Sequence, residues 1–244
     1  MFLPKKILAA AIITASAQGV SAASVTEWNF NSLPPDELSS TGTLTPNFGT
    51  GSATLVGGTT GSFASGDANG GSSDPTTSTP TNDSGWQTTT YAAQGTGDKT
   101  RGVQFNVSTA GFSGIKVEFD QRHSNTASKF VQFQYSTDGA FFADFGNLFT
   151  ASAGDTWFNN RTLDLTAVAG VDNNSNFAFR IVAAFAPGTS TYQPSTGGAT
   201  YGTAGTNRFD MVQVTGSPVP VPAALPLLLS GLGLVGVARR RRTA

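Results

Sequence analysis

The sequence predicts an all-β protein, an antiparallel β-sandwich with an apolar segment at each end. Three observations predict it. Runs of strict apolar–polar alternation recur along the body at the period of two that a half-buried strand requires. Turn signals separate these runs, and no segment keeps a long 3.6-residue period. The 244-residue chain is also poor in charge, at 12% Asp, Glu, Lys and Arg, and rich in small residues, with 29 Gly. That composition disfavours a long-helix or coiled-coil protein.

The alternating runs can be taken in order. WNFNSL places Trp28 and Phe30 on one face of a first strand. In GVQFNVST, Val103, Phe105 and Val107 point one way and Gln104, Asn106 and Ser108 the other. In IKVEFDQR, Ile115, Val117 and Phe119 point in, while Lys116, Glu118, Asp120 and Arg122 form an outward charge ladder. FVQFQYST alternates Val131, Phe133 and Tyr135 with Gln132, Gln134 and Ser136. FAFRIVAAF, residues 177–185, is apolar on both faces apart from Arg180 and reads as a central strand. RTLDLTAV and RFDMVQVTG complete a set of about eight strands, the number expected of a sandwich. Turns are signalled at Ala110-Gly111, Asp138-Gly139, Ala153-Gly154-Asp155 and Asp172-Asn173-Asn174. From Ser39 to Gly97 the composition shifts to Thr, Ser, Gly, Asn, Asp and Pro, which predicts a long low-complexity loop. A second polar stretch, residues 187–207, carries Tyr192 and Tyr201, two aromatics that could stack on sugar rings.

The ends read as addresses. Lys5 and Lys6 precede an apolar run from Ile7 to Ala17, and Val20-Ser21-Ala22 supplies small residues before a cut. This is a secretory signal peptide over residues 1–22, with cleavage expected after Ala22. At the other end, Ala223–Ala238 is apolar and is followed by Arg239, Arg240, Arg241 and Arg242. As a helix it would reach about 24 Å, enough to span a bilayer with local thinning, its arginines cytoplasmic. The two ends therefore agree on an exported body, expected over residues 23–217, and on a single transmembrane helix in the segment 218–244. A permanent anchor would account for such a tail. A eukaryotic lipid-anchor signal would not end in arginines, and a Gram-positive sortase signal would need an LPxTG pentapeptide that is absent.

The tail matches a further pattern. Val219-Pro220-Val221-Pro222-Ala223, then the apolar run, then the arginine cluster, resembles the PEP-CTERM class of sorting signals, in the variant whose motif reads VPLPA. The resemblance implies a Gram-negative, exopolysaccharide-producing bacterium. It also implies an exosortase-type membrane transpeptidase as partner, which cuts near the prolines and moves the body to the cell surface or outside. The prolines keep the segment extended, a form that an enzyme cleft can bind.

The body resembles jelly-roll or concanavalin-like sandwiches over Tyr135-Ser136-Thr137-Asp138-Gly139 and Phe209-Asp210-Met211-Val212-Gln213-Val214. In sugar-binding modules of that kind the first and last strands share a structural calcium. The resemblance thus implies Glu27, Asn29 and Asp210 as calcium ligands, with calcium the one cofactor expected.

Charge and residue inventory narrow the function. Six of the 14 basic residues lie in the terminal segments and all 15 acidic residues in the body, which leaves the body at −7. An acidic body is not a nucleic-acid partner. No Cys and a single His remove thiolate and His-based zinc sites. His123 is the only base for a nucleophilic triad, and no Ser sits in a GxSxG elbow. The expected function is a non-catalytic binding or structural role in exopolysaccharide or biofilm. The rival readings are a polysaccharide hydrolase or lyase using Glu118 and Asp120, and a permanently membrane-anchored surface protein.

Overall fold

The computed structural model describes residues 21–75 and 82–220. The signal peptide through residue 20, and the tail from residue 221 with its expected transmembrane helix, lie outside the described residues. Among the described residues no helix is long and apolar enough to cross a membrane.

Two antiparallel sheets face each other. The larger has seven strands: β1 (Ala23–Trp28), β2 (Phe48–Gly49), β4 (Thr60–Ser65), β5 (Ser84–Thr89), β7 (Phe112–His123), β10 (Thr156–Asp164) and β12 (Asn207–Pro218). The smaller has five, in the order β3 (Gly51–Val56), β6 (Gly102–Val107), β11 (Ala178–Ala184), β8 (Phe130–Ser136) and β9 (Ala143–Thr150). The alternating runs become the strands they predict. Val103, Phe105 and Val107 of β6, Ile115, Val117 and Phe119 of β7, and Val131 and Phe133 of β8 all point into the core. The doubly apolar run 177–185 becomes β11, which pairs on one side with β6 and on the other with β8. Phe179 stacks between Phe105 and Phe133, with ring centroids 4.9 and 5.4 Å away. Trp28 meets the edge of the same stack at Phe105, 5.1 Å between centroids.

The stretch 39–97 is a correction. Rather than a single loop, it contributes β2, β3, β4 and β5. These strands are short and made largely of Gly, Ser and Thr. The strands pair through backbone hydrogen bonds, their small side chains leave almost no apolar period to read, and apolar burial rests on single residues such as Ala53 and Trp86. Residues 76–81, part of the low-complexity core of this stretch, lie outside the described residues.

One feature of the larger sheet positions the site. β12 keeps β7 along one edge, but its other edge has two partners in succession. Asn207–Phe209 pairs with β5, and Val212–Gly216 pairs with β1. The exchange happens at Asp210-Met211, where the register against β7 slips and Met211 takes a positive φ of 45°. Such a bulge re-aims side chains. It also opens a gap between the end of β1 and the start of β5, and Asp210 faces that gap.

Candidate metal centre

Three carboxylates converge on the gap. Asp210 comes from the bulge of β12, Asp83 from the residue before β5, and Asp74 from the segment Gly66–Pro75 between β4 and β5. Each offers one oxygen within 4.8 Å of the others. All three are buried, with exposures of 5%, 1% and 0% for Asp74, Asp83 and Asp210.

The segment Gly66–Pro75 folds over the outer face of the larger sheet and forms the lid of this chamber. It is pinned at several points. Trp157 Nε1 donates to Ala68 O at 2.8 Å, Asn159 Nδ2 to Gly71 O at 3.1 Å, and the Ser73 amide to Asp120 Oδ2 at 2.5 Å. Asn31, just past β1, ties the two walls: its Nδ2 donates to Asp74 Oδ2 at 2.9 Å and its Oδ1 accepts the Ser84 amide at 2.7 Å. Gly66 lies so close to Asp83 that any Cβ there would overlap the carboxylate.

The chamber is not electrically balanced. Asp83 Oδ1 and Asp210 Oδ2 are buried without a hydrogen-bond partner, and neither residue has an ion-pair partner among the described residues. Arg208 is close by, but its terminal nitrogens go to Ser65 O and to Gln87 Oε1, at 2.5 and 2.6 Å. Burial, reinforced by the charges of Asp74 and Asp67, pushes the Asp83 carboxyl up to about 7. Burial and the neighbouring Asp83 raise Asp210 well above the usual carboxylate range. Charged carboxylates this deep need a proton or a cation. A calcium ion takes oxygen ligands at roughly 2.3–2.6 Å, so oxygens within 4.8 Å of one another can surround one. The residues fit that ion: hard oxygen donors, two of them orphaned, on walls held in place by hydrogen bonds to the side chains of Trp157, Asn159, Asp120 and Asn31.

Of the ligands expected from sequence, the structure brings only Asp210 to this chamber. The expected pairing of first and last strands is present, Ala23 opposite Gly216 through Trp28 opposite Val212. Glu27, however, points outward, accepting from Asn47 Nδ2 at 2.6 Å and Gln213 Nε2 at 2.7 Å. Asn29 is taken up locally, its Oδ1 accepting the Asn31 amide at 3.4 Å. Asp74 and Asp83 were missed because they sit in a stretch without strand pattern. Three acids, Asp67, Asp74 and Asp83, in a stretch with no other charge, and a fourth flanked by Phe209 and Met211 in a strand, are the signal that could have found them.

Tyr192 and Tyr201 are buried and stack on each other at 4.5 Å. Their hydroxyls donate to carbonyls, Tyr192 to Gly97 O at 2.8 Å and Tyr201 to Ala92 O at 2.7 Å, so they close a small second core and offer no open ring to a sugar. Glu118 stays on the outer face and accepts from Thr162 Oγ1 at 3.1 Å. Asp120 is buried rather than solvated, because the lid covers it, and each of its oxygens accepts a backbone N–H, from Asn160 and Ser73. His123 is fully buried at the end of β7. Burial, with the nearby Arg161 charge, lowers it to about 3, and Nδ1 is bonded to Ser128 O at 2.9 Å.

A second surface is organised. Across the outer face of the five-stranded sheet, Thr54, Gln104, Arg180, Gln134 and Asp144 stand in one register row. Arg180 Nε donates to Gln104 Oε1 at 2.8 Å, and Gln134 Nε2 to Asp144 Oδ1 at 2.9 Å. The Arg180 guanidinium lies 3.6 Å over the ring of Phe142.

The C-terminal sequence carries the remaining signal. Residues 218–242 match the PEP-CTERM protein-sorting motif. No curated protein matches the chain. Among solved structures, the body is similar to the N-terminal CBM22-1–CBM22-2 tandem domain of Paenibacillus barcinonensis Xyn10C, at 12% identity and a TM-score of 0.43 over 68% of this chain. It spans 45% of that chain. It is also similar to the family 11 carbohydrate-binding module from Clostridium thermocellum, at 12% identity and a TM-score of 0.36, covering 81% of this chain and 100% of that one. A third likeness is to a β-sandwich-superfamily carbohydrate-binding module, at 15% identity and a TM-score of 0.33, covering 68% and 56%. At these scores the likeness carries no argument about ligand.

Proposed function

We propose that this chain is an exported, C-terminally sorted protein of the cell surface or extracellular matrix, whose sandwich binds extracellular polysaccharide without catalysis. Sorting is the work of an exosortase-type membrane transpeptidase acting at the Val219–Ala223 prolines, the matched motif being the support. The observation that carries the binding role is the row Thr54–Gln104–Arg180–Gln134–Asp144. It is a hydrogen-bonding row five strands wide with a guanidinium stacked on an aromatic ring. Amides and a stacked guanidinium match the hydroxyls and apolar faces of sugar rings. Calcium held by Asp74, Asp83 and Asp210 serves stability here, bracing the lid over the opposite sheet. Support for a non-catalytic role comes from Asp120, whose two oxygens both accept backbone amides, and from the full burial of His123. Affinity electrophoresis in gels containing the exopolysaccharide of an exosortase-bearing host tests the reading. Wild type is retarded, and Arg180→Ala with Phe142→Ala loses at least tenfold in apparent affinity. Equal mobility of wild type with and without polymer would overturn it.

A further inference from the structure

Both ends of the described body leave the sandwich from the same pole. Ala23, the first residue of β1, lies opposite Gly216 of β12. The last rung of β12 sets Pro218 opposite Phe112, and the Val219 amide still donates to Gly111 O at 2.8 Å. The sorting motif begins at residue 218, so no linker separates the final strand from it. Five residues lead from Pro218 to Ala223, where the apolar run starts. Fully extended, they cover about 17 Å. β7, by contrast, is 12 residues long and makes the sandwich about 40 Å tall.

The same pole carries the turn between β6 and β7, the turn between β8 and β9, and the segment Leu165–Phe177. Phe141, in the β8–β9 turn, is 82% exposed, the most exposed large apolar residue described, and Val219 is 44% exposed. Charge does not favour this pole for anionic lipid. Lys116 is paired with Asp164 at 3.2 Å, and Asp138 and Asp172 accept backbone amides.

We propose that this pole is the membrane-facing end of the unprocessed protein. The short tether holds Phe141 and Gly111 against the lipid surface, and the far pole, with Tyr192, Tyr201 and the segment 185–206, points away. This rests on the reading of the tail as a membrane anchor. The contact is a tethered, apolar one, so it is insensitive to salt. It also places the cut site within reach of a membrane enzyme while the body is fully folded.

The absence of cysteine allows a direct test. Single cysteines replace Ser175, exposed at this pole, or Ser190, exposed at the far one. Each full chain, made in a host without a sorting enzyme, is labelled with a fluorophore and reconstituted in liposomes containing a lipid-borne nitroxide quencher. With co-flotating protein, the Ser175 label should be quenched at least threefold more than the Ser190 label, at low and high salt alike. A 20-residue Gly/Ser insert after Pro218, with a mean reach of about 25 Å, should erase most of that difference. Equal quenching at both positions in co-flotating protein, or stronger quenching at Ser190, overturns the orientation while leaving the anchor intact. Failure to co-float overturns the anchor reading, and the orientation with it.

Discussion

Asp83→Asn separates the two ways in which the acidic chamber can be neutralised. The Asp83 carboxyl sits at about 7 in the folded protein against 3.8 in a free chain. A raised carboxyl means that the folded state holds a proton that the unfolded chain has already lost. Its stabilising contribution is complete below about 3.8 and is lost as pH rises to 7. At about 1.4 kcal/mol per pH unit the change across the window is roughly 4 kcal/mol. His123 works in the opposite sense. Its folded value of about 3 lies below the usual 6.5, so its contribution is present above 6.5 and lost as pH falls. The two trends oppose each other between pH 4 and 6.5, and the wild-type profile alone is therefore uninformative. The difference between wild type and Asp83→Asn cancels His123 and reports the Asp83 carboxyl together with the part of the Asp210 shift that Asp83 causes. In chelator, urea unfolding should show the variant gaining about 2–4 kcal/mol relative to wild type between pH 4 and pH 7.5. Calcium at a hundredfold excess over its Kd should stabilise wild type by about 2.7 kcal/mol at pH 7.5 and the variant far less. A stability difference that does not change with pH, together with equal calcium responses, would refute the account of the chamber.

Two further outcomes follow from the packing. Gly66→Ala pushes a methyl into the Asp83 carboxylate. Thermal unfolding should show a loss of about 1–3 kcal/mol and a blunted calcium response, as expected of overpacking. Phe179→Ala empties the middle of the aromatic stack on the central strand and should cost about 3–5 kcal/mol without altering the calcium-dependent shift, because the core and the chamber lie on opposite faces of the larger sheet.

Much of the sandwich was legible because its best strands are half-buried. β6, β7 and β8 present apolar side chains to the core on one face and polar side chains on the other, and that asymmetry is written as alternation even where, as at Asp120 and Gln132, the polar face is covered. β11 was legible for the opposite reason, since its side chains are buried on both faces, Phe179 and Ile181 on one and Ala178, Val182 and Ala184 on the other. β2 to β5 were not, because Gly, Ser and Thr pair through the backbone and say nothing of which face is buried. The site suffered from the same silence. Asp210 could be singled out on its strand, but its partners are set by a long-range event, the exchange of β5 for β1 along β12, which no local pattern records. Tyr192 and Tyr201 illustrate the converse error: polar surroundings suggested open rings, whereas carbonyls nearby satisfy both hydroxyls and allow the rings to be buried. Asp120 read as one rung of an exposed ladder for lack of any sign that a lid would cross it.

The measurement closest to the central claim is the intact mass of the mature protein from an exosortase-bearing host, taken from membrane and extracellular fractions. The account predicts a species that starts at Ala23 and ends between Val219 and Ala223, carrying the sandwich and no arginine cluster. A membrane-bound species that still ends at Ala244 as the only mature form would contradict it.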